Sequence, residues 1–215
     1  MQTEIAESVK CVVNSEVFVW HTCVWSVSQS AEGFYKFFAA WVNHCPAFAH
    51  CGICAVRYRD ILYVFDEIIL TGGATTWDFA EEVTNRYGVD RRIIACPDPT
   101  GSARKTSGVG STDHTILRRS GFTVSSPRAP WKVRDKVTAI NTALYDAMGE
   151  RRTLIHPRCK ELIKSLRTLT YAPNTGMPNK NLGVDHAFDA FGYLCLQQFN
   201  LAKPETLGQT SFRIY

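Results

Sequence analysis

The order of the apolar segments from about residue 51 onward restricts this chain more than any other feature. CAVRYRD and ILYVFDEIILT are rich in β-branched and aromatic residues and meet near Arg59–Asp60, which reads as two neighbouring strands with a tight connection. Gly72–Gly73 breaks the second of them. Beyond that point strands and helices alternate. Thr75 or Thr76 caps a helix to about Tyr87 that Gly88 closes, and RRIIACPD is a short apolar strand ending at Pro97. Ser111 or Thr112 caps TDHTILRRS, Gly121 ends it, and FTVSS is another short strand. Val133, Val137, Ile140, Leu144 and Met148 recur at three- and four-residue steps, predicting an amphipathic helix to Gly149. RRTLIH is a strand candidate, Pro157 fits the first turn of PRCKELIKSLRTL, and a last helix runs from about Val184 to Phe199. Strands first, then strands alternating with helices, predict an α/β sandwich with a mixed sheet.

The first fifty residues are of a different character. They are rich in Trp, His, Cys and Phe, lack Asp, and show no clean period; CVVNSEVFVWHTCVWSVSQS has the content for one or two strands. They carry Lys10 and Lys36 against Glu4, Glu7, Glu16 and Glu32, a balance of −2, so the remainder carries +6, 22 basic against 16 acidic residues, within the chain's formal +4. A mildly basic body suits an anionic partner such as nucleic acid. The length of 215 residues and hydrophobic fraction of 45% allow one substantial core and exclude the disordered class. Eight irregularly spaced cysteines read as free thiols of a reducing compartment, and no leader or membrane-length apolar run is visible, so a soluble intracellular protein is expected.

Three features carry chemistry. Asp98 follows the apolar strand Ile93–Cys96 between two prolines. A carboxylate at a strand end sits where open α/β sheets hold ligands and suits a hard cation, while Pro-Asp-Pro before Thr-Gly is also ordinary turn chemistry. Asp185 and Asp189 are four apart in VDHAFDAFGYL and share one helix face. Two like charges there repel, a cost that a divalent cation or a basic neighbour would relieve. The loop Gly101–Ser111 sets Arg104 and Lys105 among small residues, which fits either a phosphate backbone or a solvated loop. No GxxxxGK[ST] occurs, so no ATP site is evident. HCPAFAHCGIC (residues 44–54) has zinc-ligand types, but Cys51 and Cys54 on a strand would point to opposite faces, and buried thiols are the better reading. Asp66–Glu67 sits on a hydrophobic strand and is given no catalytic role.

Taken in order, ILYVFDEIIL, IIACPDPTGSARKTSGVGSTDHTILRRSGF, VRDKVTAINTAL, GERRTLIHPRCKELIKSL and DHAFDAFGYL resemble the nuclease domain of tailed-phage terminase large subunits. PDPTGSARKTS and the DHAFDAFGY helix are the most specific pieces. The resemblance divides the chain into a divergent segment 1–40, a nuclease-like domain 41–200 and an irregular tail 201–215. It implies a ribonuclease-H-like α/β fold, a mixed sheet flanked by helices. It also implies two Mg²⁺ or Mn²⁺ ions, about 4 Å apart, clamping a scissile phosphate of double-stranded DNA. Of the three acids that hold such ions, the second matches Asp98 and the third Asp185, with Asp189 a further assisting acid. Arg104, Lys105, Lys132 and Arg134 would hold the DNA backbone. The implied partners are the terminase small subunit and portal protein, with no membrane, and the implied place is the cytoplasm of a bacterial host, the gene being viral or prophage-borne.

The first acid is where the chain departs from the family. The pattern Asp-x-Asn-x-x-Pro is met by Trp41, Val42, Asn43, His44, Cys45 and Pro46, with Trp41 in the place of Asp. An indole offers no oxygen to a hard cation. Weak or absent nuclease activity is therefore expected. A shifted reading frame or a gene remnant would account for the break in character near residue 50. The rivals are a catalytically degenerate remnant that at most binds DNA or a packaging partner, another ribonuclease-H-like enzyme such as a resolvase or transposase, and a zinc module on residues 44–54.

Overall fold

The structure is a computed structural model. It describes the backbone of residues 9–13, 16–20 and 36–43, and in full residues 50–58, 60–88, 93–102, 111–127, 129–173, 175, 177–179 and 184–199. Two short strands, β1 (Val9–Val13) and β2 (Glu16–Trp20), form an antiparallel hairpin. The main sheet has six strands: β3 (Lys36–Asn43), β4 (His50–Tyr58), β5 (Ile61–Leu70), β6 (Ile93–Pro97), β7 (Thr123–Val124) and β8 (Thr153–Ile155). Their spatial order is β7-β6-β3-β4-β5-β8. The β3/β4 and β4/β5 pairs are antiparallel, whereas β3/β6, β6/β7 and β5/β8 are parallel. The sheet is mixed, as the element order predicts.

Five helices are described: α1 (Thr76–Tyr87), α2 (Asp113–Arg119), α3 (Val133–Leu144), α4 (Lys160–Thr168) and α5 (Asp185–Gln198). Their starts follow local chemistry. Thr75 caps α1 in a capping box with Asp78, whose carboxylate accepts from the Thr75 N–H at 2.6 Å. Thr112 caps α2 through its side chain. Alternation along β4 then divides the core. Cys51, Ile53 and Ala55 face the side covered by α3, α4 and α5, where Phe191 and Leu194 are fully buried. Cys54 faces the other side, among Phe79, Val83 and Leu117 of α1 and α2.

Two helices differ from the sequence reading. The apolar stripe predicted α3 to Gly149, but it stops at Leu144. Asp146 draws the following backbone into a turn, its carboxylate accepting from the N–H groups of Met148 and Glu150, both at 2.9 Å, and Met148 is left exposed. Likewise α4 starts at Lys160, not near Pro157, because His156–Cys159 form a separate turn (Cys159 N–H to His156 O, 3.0 Å). At the other end, β3 begins at Lys36, five residues before the boundary of 41 read from the resemblance, and it is an interior strand of the sheet. Two strands, β1 and β2, fall on the stretch from residue 11 to 30 where one or two were expected.

Candidate functional site

Parallel β3 and β6 pair as far as Trp41 and Pro97, where β6 ends and β3 runs on to Asn43. Asp98 is the next residue after β6, so it stands at the carboxyl edge of the two adjoining strands. This is the crevice position where open α/β sheets hold ligands. Both sequence readings of Asp98 are visible. As a turn former, its Oδ1 accepts from the Thr100 N–H and hydroxyl, each at 2.9 Å, and its carbonyl accepts from Gly101 N–H at 3.0 Å. As a site residue, its Oδ2 accepts from the hydroxyl of Tyr193, on α5, at 3.0 Å. His114 Nε2 lies 3.0 Å from the Asp98 carbonyl and ties the turn to α2.

Tyr193 links the strand end to the last helix. Asp185, Asp189 and Tyr193 follow at four-residue steps on α5 and share a face. Lys136 of α3 projects onto that face. Its ammonium is ion-paired with Asp189 and lies 4.8 Å from the centroid of the Tyr193 ring. Trp131 stacks on the same ring at 5.9 Å. Burial, and then the charges of Asp98 and Asp189, push the Tyr193 hydroxyl well above its ordinary range, so it stays a donor. Of the two helix acids, Asp189 is the one whose charge, like that of Asp98, acts on the Tyr193 hydroxyl. Asp185 is buried in the first turn of α5, with His186 Nε2 3.6 Å from its Oδ1.

Among the described residues no group of three or more His, Cys, Asp or Glu side chains comes together as a metal site. Both oxygens of Asp98 are engaged, Asp189 already faces a cation, and the neighbouring strand offers Trp41 at the register of Pro97. Lys132 and Arg134 are exposed at the start of α3, beside the Trp131–Tyr193 stack. Arg104 and Lys105 lie outside the described residues, as do His44, Cys45 and the tail 201–215. Sequence reasoning passed over Tyr193, Lys136 and Trp131. The signal for Lys136 was available: it falls between Val133, Val137 and Ile140, on the apolar stripe of its helix.

The remaining candidates have structural roles. Cys51 and Cys54 are buried in the cores on opposite faces of β4, and burial pushes the Cys54 thiol up to about 12, so the pair does not chelate one ion. Asp66 accepts from the Tyr87 hydroxyl and from Arg86 at 3.2 Å. Glu67 caps α4 from β5: its carboxylate accepts from the N–H groups of Glu161 at 2.9 Å and Leu162 at 3.0 Å, two donors of the first helical turn. Burial raises the Glu67 carboxyl above its ordinary 4.5, and those two N–H groups oppose the rise. The folded chain thus holds this proton more tightly than the unfolded chain. Its contribution to stability is complete below pH 4.5 and is lost as pH rises through the higher folded value. In urea titrations across that interval, the native chain should weaken with rising pH more steeply than Glu67→Gln; equal slopes would refute the assignment.

The fold defines a class: an α/β domain of the ribonuclease-H-like kind, with Asp98 where a central strand ends. No family model and no curated protein sequence matches the chain. Solved structures do, among them phage large terminases. The P22 large terminase nuclease domain is similar at a TM-score of 0.57 and 15% identity, over 79% of this chain and 85% of that domain. The SPP1 large terminase nuclease domain with bound Mn is similar at 0.50 and 14%, over 82% and 91%. The large terminase of a thermophilic bacteriophage is similar at 0.59 and 17%, over 78% of this chain and 40% of its own length. The chain thus spans about two fifths of that protein, and its fold is that of the phage large-terminase nuclease domain.

Proposed function

We propose that this chain is a nuclease-type, DNA-binding domain of a viral genome-packaging motor whose hydrolytic centre is impaired. The observation that carries the reading is the register of β3 and β6: Trp41 stands beside Pro97, next to Asp98, at the place where the family pattern has an acid. A two-ion phosphodiester hydrolase needs charged oxygen ligands on both sides of its metals, and one side here offers an indole-bearing residue. Asp98, Asp185 and Asp189 are the carboxylates that would remain of such a centre. The proposed substrate is double-stranded DNA, the proposed partners are the small subunit and portal protein, and the proposed setting is the cytoplasm of a bacterial host. Mg²⁺ and Mn²⁺ are the ions to test; the SPP1 nuclease domain was solved with Mn bound. The experiment is a supercoiled-plasmid nicking assay beside the P22 domain. Nicking by the native chain at the rate of that domain, under either ion, would overturn the reading.

Binding without cutting has separate support. Lys132 and Arg134 are exposed at the start of α3, close in sequence to Trp131, and suit phosphates better than bases. Removing both charges should weaken duplex binding evenly across sequences and reduce the salt slope of log K by about 2. Fluorescence anisotropy over a salt series measures this, and an unchanged slope would place the DNA elsewhere.

A further inference from the structure

The face of α5 that reaches Asp98 through Tyr193 carries a cation of the chain's own. Lys136 is 5% exposed overall, and its ammonium is paired with Asp189 over the ring of Tyr193, whose hydroxyl serves Asp98. The seat for this side chain is built into α5. A Cβ at Gly192 would come within 3.3 Å of both Cβ and Cδ of Lys136, so the absence of a side chain at 192 is what lets the lysine stem lie against the helix. Gly192 and Tyr193 stand three and four residues beyond Asp189, so carboxylate, stem groove and ring form one surface that receives the lysine. An exposed lysine that happened to find an acid would not need such a groove.

We propose that the Lys136 ammonium is the resident cation of this site, taking the charge-neutralising place beside Asp189 that a divalent ion would need, so that the folded chain does not depend on metal. The inference rests on reading the cleft as the counterpart of a nuclease centre. The physical reason is electrostatic: the half-buried Asp189 carboxylate is costly without a counter-cation, and a tethered ammonium supplies it intramolecularly. A divalent ion entering beside Asp189 would meet that ammonium at close range and be repelled.

The test uses thermal melts of the full chain in EDTA and in millimolar Mn²⁺. The native chain should melt at the same temperature in both. Lys136→Met, which keeps the length of the stem and removes the charge, should melt lower in EDTA and recover about 4 °C or more in Mn²⁺. Adding Asp189→Asn should abolish the recovery. If Lys136→Met does not fold, Lys136→Gln serves for the same comparison. Mn²⁺ binding to the native chain is counted independently by electron paramagnetic resonance. Mn²⁺ stabilisation of the native chain that disappears in Asp189→Asn would overturn the proposal, as would a Lys136 variant that gains nothing from the ion. Plasmid nicking judges the impaired-nuclease reading by itself, so the two can fail separately.

Discussion

Trp41→Asp raises Mn²⁺-dependent plasmid nicking by about 100-fold over the native chain, in line with the cost of removing one element of a catalytic metal site. The substitution restores an oxygen ligand on β3 at the register of Pro97, directly before Asp98. The gain should vanish when Asp98→Ala is added, because the new carboxylate would then have no counterpart at the end of β6. It should grow further when Lys136 is also neutralised, since the tethered ammonium competes for Asp189. A Trp41→Asn control separates a charged ligand from mere removal of the indole. If Trp41→Asp folds, as judged by an unchanged melt, and still fails to nick in every background, the correspondence of Trp41 with the missing acid is wrong.

Lys136→Ala lowers the stability of the fold by about 3 kcal/mol, the usual consequence of leaving one member of a buried ion pair without its partner. For a domain of this size that is about 9 °C in melting midpoint. The side chains of Lys136 and Asp189 are 6% and 17% exposed, so water does little to replace the lost partner. The stem of the lysine also fills the groove at Gly192, which adds lost packing to lost charge. The double replacement Lys136→Met with Asp189→Leu should restore most of the loss, because an apolar pair of similar volume has no unpaired charge to bury. Urea unfolding of the native chain, the two single variants Lys136→Met and Asp189→Leu, and the double variant forms a double-mutant cycle. A loss under about 0.5 kcal/mol in Lys136→Ala would show a solvent-screened pair.

Much of the architecture was legible because it is local. The strand pair around Arg59–Asp60, the Thr75 and Thr112 caps, the end of β6 at Pro97 and the extent of α5 all depend on residues within a few positions of one another. Where the sequence reading of a helix went astray, a side chain captured backbone at close range in a way periodicity does not register, as Asp146 does beyond α3. The cap of α4 was beyond any such reading, since it comes from Glu67, 94 residues earlier.

By itself, then, the amino-acid order determined the alternation of elements, the mixed sheet, the placement of Asp98 at a strand end and the common face of Asp185 and Asp189. It left open whether a basic neighbour packs against that face. Only the tertiary structure decided this, by bringing Lys136 across 53 residues to Asp189 and Tyr193 across 95 to Asp98. The reason is physical: the field at a buried carboxylate is set by whichever charges pack against it, and those come from elements whose distance along the chain carries no information about their distance in space.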